Sequence, residues 1–489
     1  GQEHLIDLIY RWEEAVFDPK CPASRNLASM IAVQVALNYG LFCRTLEFHG
    51  PFDRFDRRFL LSMAANTARE IYVKKFLEPN PFLIGNPAEL RAEKRDSYLL
   101  ADLVFTEPEP LKLEPWDASP SRVAILSSGG KESLLCYGLL DELGQEVHPV
   151  FVNESGRHWL TALNAYRHFN GSVSNTARVW TNSDRVFAWM LRRMPFIRQD
   201  FMKVRADEYP VRLWTVAVFL FGALPLARKR GIGRIVIGDE HDTTVRMQHQ
   251  RITHYNGLYD QSRFFDRALS RYYRAKGWGI VQFSPLRQLS ELLVEKVLLE
   301  RYPNLQRLQT SCHATHVDGD RVRPCGHCEK CRRVVGMLAA LGGDPTRCGY
   351  TPTQISDCLA RVVSDGVHQE GTGEAHLLSM LWERGLVPPS AEDWKKIRPH
   401  PEVMKLRFVD DRSPIEDVPE DLRRELYRIL LDHCFRAVQR RGTKWLPYDP
   451  LKHSPRASRK SKNRKAPRTT APEKNPLARK EALCTSSAS

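Results

Sequence analysis

A strand–turn–helix–strand pattern that begins at residue 122 limits the possible folds of this chain more than any other feature. Val123–Leu126 is an unbroken apolar run, which is typical of a strand buried on both faces of a parallel sheet. After a turn, leucines at every fourth position predict a helix over Lys131–Leu143. A second apolar run, Val147–Val152, predicts the next strand. This spacing indicates a βαβ unit and therefore an α/β protein with a parallel sheet.

A second unit of the same type follows further along the chain. Val211–Arg230 predicts a helix that ends at Gly231, and Arg234–Ile237 predicts a strand. Gly238–Glu240 comes directly after that strand. In open, doubly wound sheets, ligands bind outside the carboxyl ends of the strands. The turn after the first strand and Gly238–Glu240 are therefore expected to lie at one site.

Length and composition bound the architecture. The chain has 489 residues, of which 42% are hydrophobic and 27% charged, and this globular composition excludes disorder of the whole chain. Chains of this length commonly form two or three domains. We expect five segments: an N-terminal family-specific domain over 1–118, a nucleotide-binding α/β core over 119–310, a four-cysteine zinc element over 311–350, a mostly helical region over 351–450 and a disordered basic tail over 451–489.

The sequence lacks the usual signs of a membrane or secreted protein. Its most apolar stretch, Leu213–Leu226, has 14 residues and contains Pro225, whereas a membrane span needs about 20. The first residues show no basic-then-apolar signal pattern. Eleven cysteines are too few for a disulfide scaffold in a chain of this length. We therefore expect a cytoplasmic protein without a membrane span.

More than half of the net charge lies in the C-terminal tail. The formal net charge of the chain is +15, from 73 Lys and Arg against 58 Asp and Glu. Leu451–Ser489 holds 11 Lys and Arg against 2 Glu, a net +9, and it has no aromatic residue and no apolar periodicity. Such a tail is expected to be disordered, and it can contact nucleic acid non-specifically through phosphate groups. A tail that only improves solubility explains the same composition.

The turn after the first strand is rich in glycine and serine. Its residues are Ser127, Ser128, Gly129, Gly130, Lys131, Glu132 and Ser133. Adjacent glycines let a backbone approach a ligand closely, and the following helix directs unpaired N–H groups and its positive dipole end toward that ligand. The hydroxyl groups and the lysine add donors, so the turn predicts an anion site with pyrophosphate as the expected ligand. The alternative is a turn that only joins strand to helix, and the spacing is not that of a Walker A loop.

Four cysteines form a local cluster in the sequence. Cys312, Cys325, Cys328 and Cys331 follow the spacing Cys-x12-Cys-x2-Cys-x2-Cys. Short Cys-x2-Cys turns let successive thiolates converge on one tetrahedral ion, and four thiolates close its coordination shell, so we expect a structural Zn²⁺ site. The nearby cations at 330, 332 and 333 would offset the charge of the centre, and a histidine at 313, 316 or 327 could replace one thiolate. An iron–sulfur cluster is the alternative, although the Cys-Pro of bacterial ferredoxins is missing.

The turn Ser128–Ser133 resembles the S-G-G-x-[DE]-S signature of the PP-loop ATP pyrophosphatases. The resemblance implies a doubly wound parallel α/β fold that binds ATP, splits it between the α and β phosphates, activates a substrate oxygen as an adenylate and releases pyrophosphate. It assigns Gly129, Gly130 and Ser133 to pyrophosphate binding. Glu132 stands where the family commonly has Asp, so the carboxylate is kept but reaches one methylene further.

Within this superfamily, the phosphate loop and the cysteine pattern are similar to those of 7-cyano-7-deazaguanine synthases. Those enzymes turn a carboxylate into a nitrile with ATP and ammonia, and the similarity implies a structural zinc. The chain departs from that family in two respects. It is about twice as long as members of that family, which have a typical single-domain size. The P-x-R-N element of the family is matched here only as Pro210–Leu213, with Leu in place of Asn.

A stronger resemblance, over about residues 120–380, is to the ATP-dependent epimerases of UDP-MurNAc-L-Ala-L-Glu. Their F-S-x-L-R-P-L-S-E-like element matches Phe283–Glu291, and their cysteine motif matches Ser311–His313 with Cys325–Arg332. The chain differs at Gly238–Glu240, where the family has an S-N-E-like trio, and at Asn256–Ser262, where a His and a Lys are lost. The resemblance implies a small-molecule or nucleotide-sugar peptide substrate that carries a carboxylate.

This chemistry requires a metal and acid–base groups. Adenylation makes the α-proton of a glutamate more acidic, and a base must lie within hydrogen-bond reach of that proton. Asp239 and Glu240 are candidates for holding Mg²⁺ or for acid–base work, and equally for a helix cap. Lys131 is a candidate to stabilise the departing pyrophosphate. Arg287 is a candidate through the family match; in a helix it would form a surface pair with Glu291 worth about 0.3–0.5 kcal/mol.

Two further possibilities stay open from the sequence. His249, His254, His368 and Glu370 are candidate bases, although a lone histidine is usually structural. A nucleic-acid-directed protein, such as a tRNA-modifying or defence protein, is a function of another class. It predicts salt-sensitive binding of nucleic acid that is lost when residues 451–489 are removed.

Overall fold

The computed structural model describes residues 3–84, 92–109, 115–156, 158–204, 209–255, 259–312, 314–387 and 397–452, and the structural statements below refer to these residues. The strands and helices named below belong to one compact unit that ends at Leu451. His313, residues 256–258 and the tail from 453 onward lie outside the described residues. The predicted disorder of the tail therefore stays a prediction, as do the predicted domain boundaries.

Strands are spread along the whole described chain. They are β1 (Tyr10–Trp12), β2 (Thr45–Phe48), β3 (Asp102–Phe105), β4 (Ser119–Leu126), β5 (Glu146–Asn153), β6 (Ala177–Thr181), β7 (Ile232–Val236), β8 (Arg246–His249), β9 (Ile252–Tyr255), β10 (Val281–Phe283), β11 (His316–Asp318), β12 (Arg321–Arg323), β13 (Leu406–Phe408), β14 (Ala437–Arg441) and β15 (Lys444–Tyr448).

Helices lie between many of these strands in the sequence. They are α1 (Pro22–Val33), α2 (Arg54–Ile71), α3 (Lys131–Glu142), α4 (His158–Ser172), α5 (Ser183–Leu191), α6 (Val216–Arg230), α7 (Arg263–Lys276), α8 (Glu291–Arg301), α9 (Pro303–Gln306), α10 (Glu329–Leu341), α11 (Pro352–Asp365), α12 (Gly371–Glu383) and α13 (Glu420–Leu431). None of the helices in the described part of the chain is both long and apolar enough to cross a bilayer.

The central sheet has the strand order β1-β6-β5-β4-β7-β10. β1 pairs with β6 antiparallel, whereas every other neighbouring pair is parallel. Starting at β4, the chain adds β5 and β6 on one side of this strand and then β7 and β10 on its other side. The reversal sets the carboxyl ends of β4 and β7 side by side, which is where open α/β sheets bind ligands. The predicted α/β class is confirmed, with a mixed sheet dominated by parallel pairs instead of a wholly parallel one.

Helices cover both faces of the sheet because successive strand residues point to opposite sides. Val123 and Ile125 of β4 pack with α3, α4 and α8 in one apolar core, which α10 to α13 extend. Ala124 of the same strand faces a second core, formed with α6 and α7. The turns that follow β4 and β7 are therefore held between two packed layers.

The N-terminal region packs on the second core. α1 and α2 contribute Leu27 and Leu60 to it, and β1 adds an edge strand to the sheet. At the end of α7, the fully buried Lys276 donates to Asp56 at 2.8 Å and also contacts Asp53. A buried charge is tolerated only when it is paired, so these contacts fix α2 against α7.

Several predicted boundaries are wrong by a few residues, and local contacts explain why. The helix predicted over Val211–Arg230 begins only at Val216, because the Asp260 carboxylate accepts the backbone N–H groups of Thr215 and Ala217 there. β4 begins at Ser119, so the last residues of the proline-rich segment before it belong to the strand.

Each of the two N-terminal helices is followed by a turn of another type. α1 starts at Pro22, a residue suited to the first turn of a helix, and a 3-10 turn follows it. A π-helical turn follows α2. Asp53 fixes the start of α2 because its side chain accepts the N–H groups of the first turn.

Candidate functional site

The glycine-rich turn after β4 is held tightly against α4. Gly129 has a φ of 73°, in the left-handed region that disfavours other residues. A Cβ atom at Gly129 would lie 2.7 Å from the carbonyl oxygen of Thr161 and 2.8 Å from Cα of Ala162. The turn therefore needs glycine at this position for both its conformation and its close approach to α4.

The turn leaves the start of α3 open toward the cleft. Gly130 is the N-cap of α3, and no side chain caps the helix there. Ser133 donates instead to the carbonyl oxygen of Gly130 at 3.0 Å, and its hydroxyl lies 3.4 Å from that of Ser127. The first N–H groups of a helix have no partner within the helix, so these groups are available to an anion.

Lys131 lies at the floor of this site. Its ammonium group is buried, contacts Glu132, and donates to Oε1 of Glu291 at 2.7 Å. Burial opposes its positive charge, but Glu132, Glu291 and Glu240 outweigh that effect and raise the pKa of the lysine. Lys131 therefore stays charged over the physiological pH range.

Two carboxyl groups follow β7 and lie beside the turn. Asp239 is held by Ser284, whose hydroxyl accepts the aspartate N–H at 3.0 Å and donates to its carbonyl oxygen at 2.8 Å. Burial raises the pKa of Asp239 well above its usual range. Burial, followed by the nearby Glu132, likewise raises the pKa of Glu240. A bound cation would therefore favour the ionised form of both groups.

Arg287 is not on the surface, so the predicted surface pair with Glu291 is wrong. Its side chain is only 1% exposed. The segment between β10 and α8 is an irregular turn, so Arg287 and Glu291 do not lie on one helix. The guanidinium donates to Asp266 at 2.7 Å, to Asp239 at 3.2 Å and to the carbonyl oxygen of Gln261 at 2.8 Å. Arg287 thus positions Asp239 from behind, while Glu291 pairs with Lys131.

These groups open onto one cleft of about 550 Å³ at the carboxyl edge of β4 and β7. The predicted residues that line it are Ser127, Ser128, Gly130, Lys131, Glu132, Ser133, Asp239 and Glu240. Gly129 and Arg287 support the cleft from behind. Within the described part of the chain, the candidate bases do not line the cleft; they are His249, His254, His368 and Glu370.

Sequence reasoning did not single out several residues that line the cleft. Glu154 follows β5 and is buried, and burial raises its pKa. His158 also lines the cleft, with its Nε2 atom 2.7 Å from the hydroxyl of Tyr209. Lys330 and Arg333 are further lining residues. The position of Glu154 at the carboxyl end of a predicted strand was a usable signal, whereas Tyr209 is brought close only by the fold.

The four predicted cysteines come together as one group. Their Sγ atoms all lie within 4.8 Å of one another, and the closest pairs are separated by 3.5, 3.8 and 3.9 Å. Four sulfurs placed tetrahedrally at about 2.3 Å from one Zn²⁺ ion are about 3.8 Å apart. The group therefore fits a single tetrahedral ion such as zinc. Neither His316 nor His327 belongs to it among the described residues.

Local structure explains why the thiols converge. The backbone N–H groups of Cys325 and Ala314 donate to Sγ of Cys312 at 3.2 and 3.3 Å. Cys328 is the N-cap of α10, and Cys331 follows in its first turn. Gly326 has a φ of 80° and packs against Gln354 of α11. The cluster thus joins the loop after α9 to the start of α10.

No protein-family model matches this chain, and neither does any curated protein sequence.

The contact between Gly129 and α4 predicts a specific effect of adding a methyl group. Gly144 has a similar φ of 70° but nothing within 4 Å of an added Cβ, so Gly144→Ala is the matched control. We expect Gly144→Ala to lower the free energy of unfolding by about 1–2 kcal/mol. Gly129→Ala should cost about 1–3 kcal/mol more, because Thr161 and Ala162 must move.

Urea denaturation of both variants measures this difference. Equal losses in the two variants would contradict the inferred close packing of the turn against α4.

The cysteine geometry predicts one zinc ion per chain. Cys328→Ser should lose the metal and lower the thermal midpoint, because the shell is then open and the start of α10 is released. Cys434 lies outside the group, so Cys434→Ser should keep the metal and the wild-type thermal midpoint. Metal analysis and thermal unfolding check these outcomes. Iron in the wild-type protein would favour the iron–sulfur alternative, and no bound metal would refute the site.

Proposed function

We propose that this protein is a PP-loop-type enzyme that adenylates a substrate carboxylate with ATP and forms AMP and pyrophosphate. The observation that supports it most is the open N-terminus of α3, with its glycine turn and charged lysine, at the point where the strand order reverses. Helix N-termini in this position bind phosphate groups in many α/β proteins. The turn also carries the S-G-G-x-[DE]-S signature.

The first turn of α3 would bind the β and γ phosphates. Its free N–H groups and the hydroxyl of Ser128 would donate hydrogen bonds to phosphate oxygens. The hydroxyl of Ser133 would join them by turning away from the carbonyl oxygen of Gly130. Lys131 adds a fixed positive charge near the bond that breaks, and a preorganised cation stabilises the charge that develops on pyrophosphate. Because Glu132 and Glu291 hold the lysine in place, little reorganisation is needed.

The charges of the cleft favour binding of a divalent cation together with the nucleotide. Carboxyl groups outnumber cationic side chains along its lining. The carboxyl groups are Glu132, Glu154, Asp239, Glu240 and Glu291, and the cations are Lys131, Lys330 and Arg333. Mg²⁺ commonly takes only one or two carboxylates and completes its shell with substrate phosphates and water. Glu132 and Glu240 are the side chains that we assign to it, and the bound ion would neutralise phosphate charge.

The segment Phe283–Glu291, which is most similar to the muropeptide epimerases, supports the cleft from behind and contributes Glu291 to its lining. Ser284 holds Asp239, Arg287 supports it from behind, and Glu291 holds Lys131. This favours an epimerase-like reaction on a glutamate-containing peptide. Glu154 and His158 are the cleft groups that we assign to proton removal, because Glu154 follows β5, His158 begins α4, and both line the cleft.

Two other functions stay as alternatives. The phosphate turn and the four cysteines are equally compatible with a 7-cyano-7-deazaguanine synthase-like reaction. A nucleic-acid-directed function would require that residues 451–489 or the core bind nucleic acid with a strong dependence on salt.

Analysis of the nucleotide products tests the proposal. The protein is supplied with Mg-ATP and UDP-MurNAc-L-Ala-L-Glu, and separately with 7-carboxy-7-deazaguanine and ammonia. We expect AMP and pyrophosphate with the muropeptide. Ser133→Ala should slow their formation by about 10- to 100-fold, because a donor to the departing pyrophosphate is lost. Ser172 lies at the exposed end of α4, so Ser172→Ala is the matched control and should leave the rate of AMP formation unchanged.

Each other result excludes part of the proposal. AMP only with the deazaguanine would favour the nitrile-forming reaction. ADP as the product would refute cleavage between the α and β phosphates. No AMP with either substrate would exclude both the epimerase-like and the nitrile-forming reaction.

A further inference from the structure

The exposed face of α7 carries a row of arginines. Arg267, Arg271 and Arg274 are exposed, and their spacing of four and three residues places them on one face of the helix, over about 10 Å. The opposite face is buried and includes Phe265 and Leu269. α7 is therefore anchored by its apolar face and presents three cations to solvent.

Arg246, on β8, extends this row. Its guanidinium lies 4.8 Å from the centre of the Phe264 ring, and Phe264 is three residues before Arg267 on α7. Arg246 is also exposed. We call these four exposed residues, Arg246, Arg267, Arg271 and Arg274, the arginine surface.

The charges of the arginine surface are not compensated within the described part of the chain. None of its four guanidinium groups has a carboxylate partner or a hydrogen bond there. The single acidic residue of α7, Asp266, is buried and accepts from Arg287 at 2.7 Å. An exposed arginine on another helix does find a partner: Arg361 on α11 pairs with Asp365 four residues later. The lack of partners is thus a feature of this face.

This arrangement is unfavourable for the helix itself. Like charges three or four residues apart destabilise a helix, and Arg271 has this spacing to both Arg267 and Arg274. Only Arg274, in the last turn, is favoured by the helix dipole. The row therefore does not serve the stability of α7, which indicates that its charges serve a partner of opposite charge.

The composition of the face favours one class of partner. Arginine binds a phosphate group through two parallel hydrogen bonds from one planar group, so a row of arginines suits a row of phosphates. A helix that lies in a membrane surface has large apolar side chains on the face that meets the lipid, and protein interfaces have aromatic or aliphatic anchors at their centre. Besides the arginines, the exposed positions of α7 hold only Ala275.

We propose that the arginine surface binds the phosphate backbone of a nucleic-acid strand. None of its four arginines belongs to the described residues that line the cleft, although α7 begins two residues after Gln261, which does. The proposal therefore does not rest on the proposed function. It assigns the contact to the folded core instead of residues 451–489.

Fluorescence anisotropy with a labelled single strand of about 20 nucleotides, as DNA and as RNA, tests the proposal, because this length exceeds the usual site of one domain. The full chain is titrated at several salt concentrations. We expect the triple variant Arg267→Gln, Arg271→Gln and Arg274→Gln to bind both probes about tenfold more weakly near physiological salt. The slope of log K against log salt should become shallower by about 2, since each lost phosphate contact removes about 0.7.

A second triple variant removes the same charge elsewhere. Arg185, Arg192 and Arg424 are exposed arginines of α5, of its C-terminal cap and of α13, outside the arginine surface. Changing all three to glutamine should leave the affinity within about twofold of the wild type, because salt screens charges that do not contact the strand. Thermal midpoints are compared first, and substitutions of exposed side chains should change them little in both variants.

Four results would overturn the proposal. Equal weakening in the two triple variants would show that only the total charge matters. Wild-type affinity in the variant of the arginine surface, with binding lost when residues 453–489 are removed, would assign the contact to the tail. Equally tight binding of poly-L-glutamate or of phosphatidylserine vesicles by the wild-type protein would replace nucleic acid with an acidic protein or a membrane. Failure of the wild-type protein to bind either strand would refute the surface without any variant.

Discussion

The buried carboxylate of Glu291 links the parts of this protein that make up the cleft. One of its oxygens accepts from Lys131 at the glycine-rich turn and also lies 3.5 Å from Arg333 near the start of α10, beside the cysteine group. Burial opposes its negative charge, but Arg333 and Lys131 outweigh that effect and lower its pKa. Removing this carboxylate would leave two cations together in a poorly solvated place, which is strongly unfavourable.

A second buried charge, Arg287, has a similar role on the other side of the cleft. Its guanidinium joins the end of β7 to α7 and to the turn before α7, through Asp239, Asp266 and Gln261. Such ion pairs contribute little net stability because desolvation offsets their attraction. Their value here is orientation: Asp239 and the turns around it are held before any ligand arrives, which lowers the cost of binding.

The sequence was informative where the signal is local. The apolar run Val123–Leu126, the glycine turn and the start of α3 at Lys131 follow from adjacent residues, and the cysteine spacing alone predicts convergence on one ion. Contacts between distant residues were not predictable in this way. Lys131 and Glu291 are separated by 160 positions. The family motif contains Glu291, but the four-residue spacing pointed to Arg287 as its partner in a helix. Likewise, α6 starts where Asp260 caps it, 45 positions further on.

A crystal structure with Mg²⁺ and α,β-methylene-ATP tests the central claim most directly. The account predicts the β and γ phosphates at the N-terminus of α3, within hydrogen-bond distance of the N–H groups that follow Gly130 and of the Ser133 hydroxyl, with the metal ion between these phosphates and Glu132 or Glu240. A nucleotide bound elsewhere, or phosphates that do not contact this turn, would contradict it.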